Sequence, residues 1–299
     1  MCVLITGGSG FLGRRLVKLF ESKGIHFQTL GRNRKDSFYC DFGSNKIPEN
    51  CMDDAETIIH LAGHAHDTGS NRKQESNKHE QINFQFTKEL IELAKKKDLK
   101  KFIYISSVKA GGKNVVNGYL NEESEGFRDN FYSASKRKAE TFLREYENEN
   151  MKVLILRPSL VYGPNMKGNF KLMQNFINKG LFPPLPNLDS YKALVHVDDV
   201  ARSILFLLED KELKKEIFII TDGNLYSPRE IYESLSLSLG KVPLKWSLPK
   251  NFFKLLLFFP WTRDKLKKLF INEPYSSSKL RALGFTTKFK LKDINEEAF

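Results

Sequence analysis

The apolar run Val3-Leu4-Ile5-Thr6 passes directly into Gly7-Gly8-Ser9-Gly10-Phe11-Leu12-Gly13, and this junction constrains the fold more than any other part of the chain. Four apolar or β-branched residues in a row suit a strand buried on both faces. From Phe11 to Ser22 the apolar residues recur at helical spacing instead. Gly8, Gly10 and Gly13 satisfy G-x-G-x-x-G, and Gly7, Gly10 and Gly13 satisfy the related G-x-x-G-x-x-G. Such glycines permit a tight turn and let the backbone approach a pyrophosphate, whose charge the helix N-terminus meets. A strand, a glycine turn and a helix in this order predict the first unit of a parallel α/β sheet that binds a dinucleotide.

The same alternation continues downstream. Phe27–Leu30, Phe38–Cys40, Thr57–Ala62, Lys101–Ser106 and Val153–Leu156 read as strands, and Gln81–Lys97 and Ser133–Tyr146 read as helices. Strands separated by helices of this length predict an α/β, doubly wound parallel sheet. After Pro158 the pattern loosens, with Pro164, Pro183, Pro184 and Pro186 breaking it, and Ile217–Thr221 reads as one more strand. The expected organisation is a dinucleotide-binding domain over 1–163 and a substrate-binding region over 164–299. Segments around 193–222 of the latter are expected to return to the first domain.

Charge narrows the partners. Forty-eight Lys+Arg against 36 Asp+Glu leave +12, which favours anionic company without choosing its kind. The lysines around Lys95–Lys101 are expected to face solvent, with no nucleic-acid role. Three cysteines without C-x-x-C spacing predict neither a disulfide framework nor a zinc site. No run approaches the roughly 18 apolar residues that span a bilayer, and Met1 leads straight into a strand, so a cytoplasmic protein is expected.

Two further patterns carry chemistry. After the second strand stand Leu30-Gly31-Arg32-Asn33-Arg34, with no acid to meet a ribose 2′-hydroxyl. Arg32 and Arg34 suit a 2′-phosphate, so NADP(H) is favoured and NAD(H) is the alternative. Asp41 is a candidate contact for the adenine amino group. In Tyr132-Ser133-Ala134-Ser135-Lys136 a phenol and an ammonium share one helix face. The ammonium is expected to lower the phenol's pKa and make Tyr132 a general acid/base. Ser106-Ser107 ends the preceding strand, on the sheet edge where ligands bind.

With Thr6–Gly13, His60-Leu61-Ala62-Gly63, Asn83, Ser106-Ser107, Tyr132–Lys136, Arg157–Pro164 and His196-Val197-Asp198-Asp199, the sequence resembles the extended short-chain dehydrogenase/reductases. That group is also called the NAD-dependent epimerase/dehydratase family. The resemblance implies a Rossmann-type domain with a smaller C-terminal α/β domain, acting on nucleotide-activated sugars. It also implies a homodimer built through the helices bearing Gln81–Lys97 and Tyr132–Tyr146. It assigns Ser107 to the substrate oxygen, Tyr132 to its proton and Lys136 to the nicotinamide ribose. Gly7, Gly10, Phe11, Leu12, Gly13, Leu61, Ala62, Gly63 and Pro158 then line the cofactor, and Lys109, Asn169 and Lys192 the substrate. Lys192 stands where the family has an arginine near the substrate phosphates, and Ser276 where it has a late aspartate.

The 4,6-dehydratases of the family carry an Asp-Glu pair where this chain has Val108-Lys109, so dehydration is not expected. Ser106–Lys109 and Gly168-Asn169-Phe170 look most like enzymes of surface-polysaccharide synthesis. The leading expectation is a reductase of a UDP-4-keto-6-deoxy-N-acetylhexosamine. The alternatives are a C4 epimerase of a UDP- or undecaprenyl-diphosphate-linked (N-acetyl)hexosamine and a non-catalytic NAD(P) sensor. His60, His64 and His66 lack a nearby carboxylate in the sequence, so no metal is expected. Lys250–Phe270 mixes aromatics with charges and is a candidate for peripheral membrane contact.

Overall fold

The computed structural model describes residues 2–43, 46–65, 71–112, 118–126, 130–146, 150–166, 168–182, 185–213, 215–249, 251 and 269–293. The strands are β1 (Val3–Thr6), β2 (Phe27–Gly31), β3 (Phe38–Tyr39), β4 (Thr57–His60), β5 (Lys101–Ile105), β6 (Lys152–Pro158), β7 (Leu160–Tyr162), β8 (Lys192–His196), β9 (Lys215–Ile220) and β10 (Leu225–Tyr226). Seven form one sheet in the order β3-β2-β1-β4-β5-β6-β9, every neighbouring pair parallel. Every residue of β1, β4 and β5 is buried, which is why these strands read as continuous apolar runs rather than alternating ones.

The helices are α1 (Phe11–Lys23), α2 (Arg72–His79), α3 (Phe86–Lys96), α4 (Val108–Gly111), α5 (Phe131–Glu145), α6 (Gly168–Asn178), α7 (Val197–Glu209), α8 (Pro228–Leu237) and α9 (Ser278–Ala282). Strand order reverses between β1 and β4, and the crevice at such a switch point is where doubly wound sheets bind ligands. This is a Rossmann-type fold. Its core packs Leu4, Leu30, Ile58, Phe86, Leu90, Phe102, Tyr104 and Leu143 against the sheet.

The chain divides into two compact units. The first comprises Met1–Val115, Glu122–Pro158 and Val200–Ile220; the second comprises Val116–Asn121, Ser159–Asp199 and Thr221–Phe299. The second unit has its own three-stranded mixed sheet, β10-β8-β7, antiparallel at β10–β8 and parallel at β7–β8.

Two local expectations are corrected. Lys101 does not face solvent: it is 8% exposed, and its ammonium donates to the carbonyls of Leu207, Leu208 and Asp210. Burial lowers its pKa, and the carbonyls at the end of α7 supply the partners that a buried ammonium requires. Gln81–Lys97 is not one α-helix either, because residues 80–85 form a π-helical turn between α2 and α3. Among the described residues no helix is long and apolar enough to cross a membrane. The three cysteines are free and buried.

Candidate active site

The glycine loop is held by close backbone approach. Gly7 has φ +73°, and a Cβ there would lie 2.9 Å from the Ala62 nitrogen, so β1 and the segment after β4 meet where a side chain has no room. A Cβ at Gly13 would lie 2.2 Å from the Gly7 carbonyl oxygen. Gly10 begins α1 with no side-chain cap, and the first turn holds no acid. Bare N–H groups beneath a glycine-lined crevice fit a dinucleotide pyrophosphate.

Against the same loop, Leu61 donates its N–H to the Thr6 carbonyl and Ala62 donates to Thr6 Oγ1. Thr6 Oγ1 then donates to His60 Nδ1 at 2.7 Å, while His60 Nε2 donates to Thr87 Oγ1 at 2.9 Å and Thr87 donates onward to the Asn83 carbonyl. Each hydroxyl can pass on its single proton only in this direction. Burial, and then Lys136, push the His60 pKa well below its usual value, so His60 is a neutral structural link. Asn83 grips the backbone of His64 from both sides, accepting its N–H at 2.7 Å and donating to its carbonyl at 2.9 Å. That clamp fixes Gly63, whose Cβ position lies 3.2 Å from Lys136 Nζ.

After β2 the sequence shows no adjacent acid, and the fold brings one. The turn folds back so that Asp36 accepts the Asn33 N–H at 2.9 Å, and a Cβ on Gly31 would meet its carboxylate at 2.3 Å. Arg32 is exposed and lies 4.0 Å from the Asp41 carboxylate, and Arg34 is exposed.

Ser107, Tyr132 and Lys136 come together within the first unit. Ser107 caps α4, accepting the Lys109 N–H, and hydrogen-bonds the Tyr132 phenol. Asn130 caps α5 by accepting the Ser133 N–H at 2.8 Å, which places Tyr132 in the first turn and Lys136 one turn on. Lys136 is 3% exposed, donates to the Ile105 carbonyl at 2.8 Å and lies 4.6 Å from the Tyr104 ring centre. The expected lowering of the phenol is overturned. Burial pushes Tyr132 up to about 12, against the Ser107 hydrogen bond. Burial also pulls Lys136 down to about 8, against the Glu140 carboxylate. Desolvation outweighs the pairing because both groups lose water together.

Glu140 is the neighbour that the sequence reading missed. It is fully buried, one turn beyond Lys136, and takes two hydrogen bonds from Arg157 at 2.9 and 2.6 Å. Arg157 also donates to the Glu122 carbonyl, so the pair ties α5 to β6. The spacing Tyr132, Lys136, Glu140 on one helix face was the available signal.

The absence of a carboxylate near the histidines is also corrected. His64 Nε2 lies 3.0 Å from Glu75, and with His79 the donor atoms fall within 4.8 Å of one another. The His79 ring lies edge-on to Tyr132 at 6.1 Å, and its Nδ1 faces the Asn83 amide nitrogen at 3.2 Å. His66 lies outside the described residues.

The remaining candidates are dispersed. Phe11 and Leu12 open α1, and Pro158 ends β6. Lys109 is half-buried on α4. Asn169 and Lys192 belong to the second unit: Asn169 is exposed on α6, while Lys192 is 7% exposed and donates to the Ile271 carbonyl and to Glu273.

A parallel sheet with a glycine crevice at its switch point, beside a Ser, Tyr and Lys cluster, defines a dinucleotide-dependent enzyme class. The chain belongs to the NAD dependent epimerase/dehydratase family, whose model matches residues 3–221. It is 27% identical to a UDP-glucose 4-epimerase of Vibrio cholerae over 83% of this chain and 78% of that protein. It is 24% identical to an N-acetyl-alpha-D-glucosaminyl-diphospho-ditrans,octacis-undecaprenol 4-epimerase of Escherichia coli O157:H7, over 99% and 89% of the two chains. A solved human epimerase family protein, SDR39U1, crystallised with NADPH, superposes with a TM-score of 0.79 at 18% identity, covering 100% and 99% of the chains. Its activity is of the NAD-dependent epimerase/dehydratase type.

Proposed function

We propose that the chain interconverts the C4 epimers of a diphosphate-linked N-acetylhexosamine, using bound NAD(H). The observation that carries the choice is the Asp36 carboxylate against Gly31, with Arg32 beside Asp41. A carboxylate there accepts a ribose hydroxyl and repels a 2′-phosphate. The cofactor supplies hydride exchange at carbon. Gly7, Gly10, Phe11, Leu12 and Gly13 would hold its pyrophosphate, with Leu61, Ala62, Gly63 and Pro158 beside it. Tyr132 takes the proton of the C4 hydroxyl and returns it, Ser107 orients that oxygen, and Lys136 stabilises the phenolate while charged. Lys109, Asn169 and Lys192 are the proposed substrate contacts, with 1–163 the cofactor side and the later region the substrate side.

A reductase that consumes NADPH is the second reading, supported by the exposure of Arg32 and Arg34 in the same turn. The two readings differ in hydride accounting. An epimerase equilibrates UDP-N-acetylglucosamine with UDP-N-acetylgalactosamine, or the polyprenyl-diphosphate forms, with no change at the reduced-nicotinamide band. A reductase oxidises one NADPH for each UDP-4-keto-6-deoxy-N-acetylhexosamine. Stoichiometric NADPH loss, with no epimerisation of either carrier, would move the assignment to reductase. Pairing of two copies through α3 and α5, a cytoplasmic location, and membrane contact through Lys250–Phe270 belong to the same proposal. That last segment lies almost entirely outside the described residues.

A further inference from the structure

Large apolar side chains are exposed in a group on the second unit, around the end of α6 and the loop after α8. Leu181 is 65% exposed, Leu237 60%, Val242 85% and Trp246 59%, with Phe176 and Leu244 just over 40%. Single exposed leucines need no explanation, but a contiguous set with a tryptophan does.

The set is contiguous because its backbone is tied together. The Leu181 N–H donates to the Phe176 carbonyl. Lys241, in the loop after α8, donates to the Ile177 carbonyl at 2.9 Å, fastening that loop to the end of α6. Arg229 on α8 donates to the carbonyls of Leu244 and Trp246, holding the far end of the loop. The apolar tips therefore stand on a braced support. Helix α6 separates its faces in the same sense: Phe170, Gln174 and Ile177 are buried, while Leu172 and Phe176, one turn apart, point outward.

Charge decides what the group meets. Residues 168–182 and 234–249 contain Lys171, Lys179, Lys241 and Lys245 and not one Asp or Glu. The nearest acid preceding the loop, Glu233, is paired with Arg229 at 2.6 Å. An apolar protein partner would be met by apolar residues with charges of both signs at the rim. Exposed Trp, Leu and Phe on two segments whose only charges are lysines, with Glu233 nearby neutralised by Arg229, match the boundary of an anionic bilayer, where apolar tips enter the acyl edge and ammonium groups sit at the phosphates.

We propose that this face of the second unit docks on anionic lipid bilayers. It goes beyond the proposed activity and holds whichever diphosphate carrier the sugar has. It is also carried by residues other than Lys250–Phe270.

The test is flotation of the full chain with vesicles of phosphatidylglycerol and phosphatidylethanolamine, and separately with phosphatidylcholine alone. The wild-type chain is expected to float with the anionic vesicles, to release at high salt, and to leave phosphatidylcholine unbound. Leu181→Ser/Trp246→Ser and, separately, Lys179→Glu/Lys245→Glu should each lower the bound fraction about tenfold. Neither pair should alter the melting temperature or turnover of a soluble UDP-sugar, because each side chain stands in solvent and none belongs to the site. Absence of binding, equal binding to phosphatidylcholine, or full binding by both variants would overturn the proposal. Concentration-dependent mass in light scattering that both variants abolish, without flotation, would assign the face to a second copy instead. Loss of flotation with epimerisation intact, or the reverse, separates this inference from the proposed activity.

Discussion

At the residue scale, what matters is where a single atom has room and where a proton resides. Gly13 and Gly24 contrast on the first point. A Cβ at Gly13 would stand 2.2 Å from a carbonyl oxygen, whereas nothing lies within 4 Å of one at Gly24, whose φ of +65° costs only the left-handed strain of about 1–2 kcal/mol. Gly13→Ala should therefore abolish dinucleotide binding in a fluorescence titration, while Gly24→Ala lowers stability slightly and binds normally. Tyr132 illustrates the second point. Tyr132→Phe removes the only atom proposed to exchange the substrate proton and should lower kcat by about 10²–10⁴-fold with cofactor affinity unchanged. A loss below tenfold would show that the phenol does not carry that proton.

The element scale is set by α5, which carries Tyr132, Lys136 and Glu140 on successive turns of one face. Lys136, held near 8, keeps its charge below that pH and loses it above, so the cation beside the phenol disappears as pH rises through about 8. The rate kcat/KM should have an alkaline limb there. Glu140 favours the charged form of Lys136, so Glu140→Gln should move that limb to lower pH, measured by a pH series on both proteins. The same carboxylate is half of a pair with Arg157 in which both side chains are 1% exposed. Glu140→Ala leaves the guanidinium buried and unpaired, and should cost about 3–5 kcal/mol in urea unfolding.

For the molecule as a whole, the first unit carries a partly exposed aromatic stripe. Phe84 meets Phe142 edge-on at 6.0 Å, Phe142 lies 5.7 Å from Tyr146, and Lys138 and Lys88 sit over the rings of Phe84 and Phe142. Rings from the π-helical turn before α3 and from the C-terminal half of α5 make one continuous face, as the proposed dimer through α3 and α5 requires. Light scattering should give twice the chain mass, and Phe142→Asp should return the monomer while leaving the glycine crevice able to bind its dinucleotide. A monomeric wild-type chain would remove the dimer from the proposal.

The parallel sheet, its glycine turn and the Tyr132 and Lys136 pair were legible in the sequence because each depends on short-range order, whereas Ser107 was singled out by resemblance and meets Tyr132 only through the fold. A strand buried on both faces must be apolar throughout, a tight turn must be glycine, and residues four apart on a helix must share a face. Helix α2 was not legible, since Arg72–His79 is polar almost throughout and is held by the Asn71 cap and by burial of Glu75 and His79. The small sheet was equally hidden, because two of its three strands, β7 and β10, have only three and two residues and carry no period. Tertiary structure alone decided the charges. It returned Asp36 to the end of β2, buried Lys101 against the carbonyls of α7, set Glu75 beside His64, and raised Tyr132 while lowering Lys136. Each of these outcomes depends on which atoms lose water and which charges face them across the fold. Hydrophobic period and turn chemistry are written residue by residue, whereas desolvation and charge pairing exist only once distant segments meet.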